Sequence, residues 1–531
     1  MISRMSVGFC VDLQFTKSRD LRTAPPGDER SGGRVVPIAV DTQRIIVIGA
    51  GIGGLSAAIR LAARGHRVTV FEAQDGPGGK ASELYVDGFR FDQGPSLFTL
   101  PSLLDDLFRE AGADPADFYD YRKSEIITKY FYPDGSVLNA WADVDRLARE
   151  FATVFDEQAE TVRAFLERQR EVYDLTADLF LRNSMKELPW LKASRFFWDV
   201  RVIAKLNAFR SMARVNDDWF DDPRTAQLFD RYATYNGSDP YKAPGTLNVI
   251  AHLEHNIGAY FMRGGMFGVT KAMHRLAEDL GVDFRFGTRV ERIERTGRTV
   301  TGVVADGRTE QADAVVTNMD ASFTYERLLD DHARPRRLDW EEKSSSALIF
   351  YWGMEGTYPA LDLHNILFSG DYRGEFAALA DGRVHHDPTV YLYISARQEP
   401  GDAPAGHENW FTMINVPHDS GQDWDAIVEQ ARTDIQRKIG RMLGVDVAKK
   451  RVCERVLDPR GIERKTLSHK GALYGGSSNS MFSAFLRHQN DNASIKGLYF
   501  VGGSVHPGGG VPLCLLSSSI AVHRMERHGV A

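Results

Sequence analysis

The chain has 531 residues, 43% of them hydrophobic and 26% charged, with a net charge of −7. That length and composition fit a soluble protein of two or three domains with ample core, and the acidic balance excludes a global basic field for nucleic acid. Three cysteines, Cys10, Cys453 and Cys514, lie far apart without C-x-x-C spacing, which argues against a disulfide framework, a zinc site or a dithiol centre and fits a reducing cytoplasm.

Residues 1–42 interleave basic and acidic side chains and hold no sustained apolar core, so they do not read as a signal peptide. The polar, turn-rich stretch 25–33 predicts a disordered extension. No segment offers about 18 uninterrupted apolar residues, so no spanning helix is predicted.

The next segment, 43–125, opens with the most informative run of the chain. Residues 45–48 form an uncharged apolar strand, as a buried parallel strand should. Gly49, Ala50, Gly51, Ile52, Gly53 and Gly54 follow and fit G-x-G-x-x-G. The first glycine of that pattern permits the turn, the second lets backbone approach a pyrophosphate, and the third lets helix pack on strand. A helix over 55–63 and a second strand over 68–71 complete a βαβ unit. Glu72, followed by Ala73, closes the strand, where a carboxylate can accept both hydroxyls of an unphosphorylated ribose. A second glycine turn, Gly76 to Gly79 with Lys80, comes at once. No second G-x-G-x-x-G occurs, so a separate NAD domain is not expected. Gly94, Pro95 and Ser96 end a strand-like run, and a helix is predicted over 102–111.

Residues 126–263 open with a hairpin across Pro133-Asp134-Gly135 and then turn helical and aromatic. Residues 264–345 place a helix at 269–280 with apolar residues at helical spacing, then four strand-like runs that include Val290 and the ADAVVTNMD stretch. Residues 346–465 carry three alternating strands and a helix over 423–443, which suggests a substrate domain beside the cofactor domain. Residues 466–531 return with a strand, Gly502–Gly503, a Gly/Pro loop and a helix starting at Val511, Pro512 and Leu513.

Four ordered motifs carry a resemblance that runs from about 43 to 525. The 44–80 stretch is similar to the FAD-binding amine oxidase and phytoene desaturase superfamily. FDQGPSLFTLP, GGMFGVTKAMHRLAEDLGVDFRFGTRVERI and GLYFVGGSVHPGGGVPLCLLSSSIA resemble segments of bacterial carotenoid desaturases of the phytoene desaturase type. The last is nearest to the hydroxycarotenoid 3,4-desaturase (methoxyneurosporene dehydrogenase) branch. The resemblance implies an α/β fold: a split FAD-binding Rossmann-like domain with an inserted α+β substrate domain and a helical membrane-facing region. It implies FAD held by Gly49–Gly54 at the pyrophosphate, Glu72 at the adenosine ribose, and Gly79 with Lys80 at the next phosphate and ribityl chain. Val290 would meet the adenine side, and Gly502, Gly503 and Val511–Leu513 the flavin end. Many relatives carry Gly-Asp where this chain has Gly503–Ser504, so Ser504 or backbone would stand in for that carboxylate.

The implied reaction takes a hydride and a proton from a hydrophobic polyene, with a quinone or oxygen as final electron acceptor. No strong base stands out. His506 is a candidate proton acceptor, but a histidine bracing the turn at 507–510 is the plainer reading. Asp92 and Asp320 read as caps. The shared motifs also admit a phytoene or diapophytoene desaturase, a carotenoid isomerase, an amine oxidase, or a prenyl-chain carrier of the GDP-dissociation-inhibitor type. Finally, residues 191–214 alternate an apolar aromatic face with six basic residues against one acid, the pattern of an interfacial helix on a membrane surface.

Overall fold

The computed structural model describes residues 42–177, 205–329, 334–480 and 487–530. The expected extension at 1–42 therefore lies, but for Thr42, outside the described residues, and so does the 191–204 part of the expected interfacial helix.

Five parallel strands form the first sheet, in the spatial order Asp283–Arg285, Arg67–Phe71, Arg44–Ile48, Ala314–Thr317 and Leu498–Phe500. The central strand is uncharged after Arg44 because both its faces are covered. On one side pack the helices Ile52–Ala63, Phe267–Asp279 and Val511–Arg527, through Leu55, Ile59, Met273, Leu276, Leu515 and Val522. Residues from three distant parts of the chain thus make one cofactor-type domain. A buried hydrogen bond of 2.6 Å between the Ser56 and Ser518 hydroxyls ties the first helix to the last.

The second sheet has seven strands, in the order Arg451–Leu457, Ser346–Glu355, His407–Val416, Val390–Tyr393, His364–Leu367, Ile126–Phe131 and Val137–Trp141. Ile126–Phe131 joins His364–Leu367 in parallel, and every other pair is antiparallel. The two insertions that the sequence presents as separate blocks therefore share one sheet. Ser346–Glu355 shows how this sheet is anchored. Leu348, Phe350 and Trp352 face a core with the Trp424–Leu443 helix, while Ala347, Ile349 and Tyr351 face the opposite core with Phe89, Phe91 and Phe411. That division follows from the two-residue repeat of a strand.

A third sheet pairs Val290–Thr296, Thr299–Ala305 and Arg308–Gln311. Its last strand was not anticipated: all four of its residues are exposed, so it carries no apolar alternation to read. The helices Val144–Phe155, Ala159–Thr176, Met212–Trp219 and Pro223–Asp230 close over the hairpin side of the large sheet through an aromatic core that includes Phe151, Phe165 and Phe229. In the described end of the 191–214 stretch, Phe209 is 78% exposed and Leu206 is buried. Lys205 pairs with Glu171 at 3.0 Å and Arg210 pairs with Asp218. No helix among the described residues is long and apolar enough to cross a membrane.

Asp230 ends one of these helices inside the aromatic core. Burial pushes its carboxyl up to about 7, against a single hydrogen bond from the Asn216 amide at 2.7 Å. Between its ordinary value of 3.8 and about 7 the folded chain holds a proton that the unfolded chain releases. This residue's contribution to stability thus falls as pH rises through that window. Asp230→Asn keeps the acceptor oxygen and removes the charge. In thermal unfolding of the holoprotein it should stabilise by about 1 kcal/mol or more above pH 7 and by nothing near pH 4.

Candidate functional site

The helix Ile52–Ala63 starts at Gly51 with no side-chain cap and no acid in its first turn. The helix Val511–Arg527 starts at Gly510, also without a side-chain cap. An uncapped N-terminus leaves amides and the positive end of the helix dipole directed at whatever lies in front of it. Here both face a single cavity of about 650 Å³. Its walls include Gly49, Gly51, Ile52, Gly53, Glu72, Ala73, Gly79, Lys80, Gly94, Pro95, Ser96, Val290, Gly503, Val511, Pro512 and Leu513. Ala50, Gly54 and Gly502, also singled out in the sequence, stand just behind this wall. Gly54 is where helix meets strand: an added Cβ would fall 2.0 Å from the Gly49 carbonyl oxygen.

Two expected roles take a different form. The Glu72 carboxylate accepts the amides of Ala50 at 2.7 Å and Gln74 at 2.8 Å, so it braces the glycine turn while still facing the cavity. Lys80 is half-buried, donates to the Leu473 carbonyl at 2.6 Å, and has its ammonium pushed down by burial. His506 does not line the cavity. It is 2% exposed, its amide donates to the His488 carbonyl at 2.8 Å, and its own carbonyl accepts the Asn490 amide at 2.9 Å. That placement suits a turn brace. Asp92 accepts the Met266 and Phe267 amides at the start of the Phe267–Asp279 helix, and Asp320 accepts the Ser322 amide, so both are caps.

Sequence reading missed Asn318 in the ADAVVTNMD stretch. Its side-chain amide lies where added Cβ atoms on three glycines would sit, 2.7 Å from Gly51, 2.7 Å from Gly53 and 2.4 Å from Gly502. Those glycines are required by the asparagine as much as by any ligand. Ser504 accepts the Ala321 amide at 3.1 Å, and Asp320, a cavity-lining carboxylate, is near enough to act on Lys80.

Beyond this polar end the cavity turns apolar, lined by Leu97, Leu100, Leu247, Ile250, Leu253, Ile349, Ile366, Phe411 and Met413. Among nearby aromatic residues, Tyr235 and Tyr391 reach it, whereas Tyr232, Phe261, Tyr351, Trp352 and Tyr393 are core. The cavity thus joins a site for an anionic, elongated cofactor to an apolar tunnel.

Comparison with known proteins agrees with this geometry. The family model described as flavin containing amine oxidoreductase matches residues 52–525. The chain belongs to that family. A 1-hydroxycarotenoid 3,4-desaturase from Flavobacterium sp. (strain P99-3) is 45% identical over 90% of this chain and 98% of the relative. A 4,4'-diapolycopene oxygenase from Methylomonas sp. is 32% identical over 90% of this chain and 97% of the relative. The fold is similar to that of cyclohexylamine oxidase from Brevibacterium oxydans, with a TM-score of 0.59 at 17% identity, covering 92% and 99% of the two chains. This protein is therefore an FAD-dependent oxidoreductase.

The residues present fit FAD. Glycine at 51 and 79 keeps the cavity wall at bare backbone, and two uncapped helix starts lie where negative charge is to be held. A favourable helix end is worth up to about 2 kcal/mol to a partly buried anion. Cys514 lines the cavity, but burial pushes its thiol up to about 11, so it stays a neutral and unreactive thiol. Acid denaturation should release all the flavin from the polypeptide. Gly51→Val places a side chain against Asn318 and into the cavity wall, and should weaken FAD binding by at least about 100-fold, roughly 2.7 kcal/mol, as measured by flavin retained on desalting.

Proposed function

We propose that this protein is a carotenoid desaturase that introduces a C=C bond into an acyclic carotenoid, most specifically the 3,4 bond of a 1-hydroxycarotenoid. The observation that carries the reading is a single cavity whose wall joins a run of apolar side chains to the uncapped start of the Val511–Arg527 helix. The 45% identity to a protein with that named activity supports the regiochemistry. In this reading Gly49–Gly54 hold the pyrophosphate, Glu72 and Val290 the adenosine end, Gly79 and Lys80 the following phosphate and ribityl region, and Gly503 with Val511–Leu513 the flavin end.

When bound, FAD supplies a hydride acceptor at the flavin N5. The protein's part is to bind, orient and dry the substrate. Leu247, Ile250, Leu253, Ile349, Ile366, Phe411 and Met413 offer a long polyene an apolar path and exclude water. The uncapped start of the Val511–Arg527 helix would favour negative charge on a group held in front of it. A carbon next to a polyene stabilises a developing cation, so the proton can leave without a strong base. The cavity's histidine, His364, is pushed down to about 3 by burial and is neutral at physiological pH.

An amine oxidase would need a site that accepts a polar amine, and the tunnel walls are mostly hydrocarbon. A prenyl-chain carrier would have no use for two uncapped helix starts at a glycine-lined cavity. An isomerase shares the site but leaves no net oxidation. In a host that makes hydroxylated acyclic carotenoids, the protein should yield products absorbing at longer wavelength, with two hydrogens lost per new bond. Conversion of phytoene alone would point to a phytoene desaturase, altered geometry without loss of hydrogen to an isomerase, and added oxygen to an oxygenase.

Electrons leave through a quinone or oxygen in this reading, and the substrate enters from a membrane. Phe209, 78% exposed at the described end of the 191–214 stretch, supports a docking surface there. Lys205 and Arg210 are paired with acids, and Arg214 is the exposed basic residue at the described end of the stretch. Each basic residue near anionic lipid adds about 1 kcal/mol. Holoprotein should co-sediment with anionic liposomes in a salt-sensitive way, and a Phe196/Phe197/Trp198→Ser variant that keeps FAD should bind at least about tenfold less. Equal binding of the two would refute the docking surface.

A further inference from the structure

One part of the tunnel wall is not apolar. Arg231 lies in the short helix Arg231–Asn236 and lines the cavity together with Tyr235, Glu254 and His364. Arg231 is 7% exposed and Glu254 1% exposed. Their closest charged atoms are 3.5 Å apart. The guanidinium donates to the Tyr130 hydroxyl at 2.6 Å and sits over the rings of Tyr130, Tyr232 and Tyr235, at 5.2, 4.9 and 5.1 Å. Glu254 accepts the Tyr232 hydroxyl at 2.9 Å and the Tyr235 hydroxyl. His364 shares its Nδ1 with the Tyr391 hydroxyl at 2.8 Å, and that hydroxyl meets Ser96 at 2.6 Å.

Such a cluster is costly in a hydrocarbon tunnel. Desolvating a paired arginine and glutamate costs several kcal/mol per ion, and well-packed apolar side chains often replace a buried pair without loss of stability. Two of its polar atoms, Arg231 Nε and His364 Nε2, are buried without a hydrogen-bond partner among the described residues. Buried polar atoms left unpaired are rare and point to a role beyond packing. The Asn236 amide, also in the cavity wall, has no side-chain hydrogen bond among the described residues.

The cluster's position is specific. The helix that bears Arg231 ends at Gly237, whose carbonyl accepts the Ser345 amide at 2.9 Å. An added Cβ at Gly237 would fall 3.0 Å from the Tyr474 ring, and one at Gly509 would fall 2.6 Å from the same ring. Tyr474 thus spans from this helix to the loop that begins the Val511–Arg527 helix. Tyr474 also lines the cavity, so the helix that bears Arg231 and the loop assigned to the flavin end belong to one continuous wall. In a 1-hydroxycarotenoid the hydroxyl carbon is two bonds from C3, so its oxygen also lies close to the reacting bond.

We propose that the Arg231–Glu254–His364 cluster reads the substrate's tertiary hydroxyl and so sets both its selectivity and the carbon presented for oxidation. The inference rests on the proposed desaturase reading and assigns the substrate class to named residues. An alcohol both donates and accepts, which matches a site with a carboxylate and a guanidinium side by side. Burial works against the Arg231 guanidinium, but Tyr130, Tyr235 and Glu254 around it hold it well above its ordinary range, and burial holds His364 down at about 3, so the guanidinium stays charged and the imidazole neutral across the working pH. An unhydroxylated polyene would leave these groups facing hydrocarbon, and sites built to bond a hydroxyl reject analogues that lack it.

The test uses holoenzyme and a pair of acyclic carotenoids that differ only in the C1 hydroxyl. Two ratios are measured, hydroxylated over unhydroxylated. One is kcat/KM in direct competition; the other is equilibrium binding to enzyme whose flavin has been reduced beforehand, so that no turnover occurs. Wild type should favour the hydroxylated compound by at least roughly 100-fold. Arg231→Met should bring both ratios to within a few-fold of one, and His364→Phe, which keeps the ring between Tyr391 and Tyr393, should lower them by about tenfold. A wild-type ratio near one overturns the proposal, as does Arg231→Met with an unchanged ratio, the result expected of a purely structural pair. If Arg231→Met fails to retain FAD, an unchanged ratio in His364→Phe overturns it. If wild type oxidises neither compound, the desaturase reading fails, and the binding ratio still decides whether the cluster recognises a hydroxyl.

Discussion

The site depends on the helices Ile52–Ala63 and Val511–Arg527, the first and last among the described residues, being locked side by side. Ser56 and Ser518, 462 residues apart, share a buried hydrogen bond of 2.6 Å. The close approach it fixes is why Gly53 and Gly502 must both be glycine: a Cβ on Gly53 would lie 2.9 Å from the Gly502 Cα. With the two helices held in this way, their uncapped N-termini open onto one cavity, and a single elongated cofactor can use both. Each terminus alone is an ordinary anion site. Together, at fixed separation, they specify a molecule with a pyrophosphate at one end and an electron-accepting ring at the other.

The second constraint is the joining of the insertions. Because Ile126–Phe131 pairs in parallel with His364–Leu367, the hairpin and helical block and the antiparallel block form one wall. Ile349, Ile366, Phe411 and Met413 of that wall face helical residues such as Leu247, Ile250 and Leu253 across the tunnel. A carotenoid gains from such a path what any apolar chain gains, about 25 cal/mol for each Å² removed from water. That gain does not depend on position along the chain. Hydrocarbon contact alone therefore cannot choose which bond is oxidised; in the proposed reading Arg231, Glu254 and His364 in the wall of the same cavity would supply a fixed point.

Much of the cofactor domain was legible because its signals are local. The uncharged strand, the three glycines and Glu72 occupy one short stretch, and strand and helix periods name the rest. The observed helices Ile52–Ala63, Phe267–Asp279 and Trp424–Leu443 begin and end within a few residues of their expected positions. What escaped notice depends on distance. Asn318 sits in a quoted motif, yet its role appears only when glycines from two other segments close around its amide. Glu72 was recognised, but the two backbone amides it holds were not. Arg231, Glu254 and His364 come from three elements with no common spacing, and each alone reads as an unremarkable polar residue. The shared sheet escaped for the same reason, since parallel pairing across more than 200 residues leaves no trace in either strand.

The central claim is that oxidation of the polyene and reduction of the bound cofactor are one event in one cavity. Anaerobic rapid mixing of oxidised holoenzyme with a 1-hydroxycarotenoid, with no added acceptor, tests it most directly. The account predicts loss of the flavin absorbance near 450 nm in step with formation of the longer polyene, about one new double bond per FAD, ending after one turnover. Product formation with the flavin still oxidised, or product beyond one equivalent without an acceptor, would contradict it.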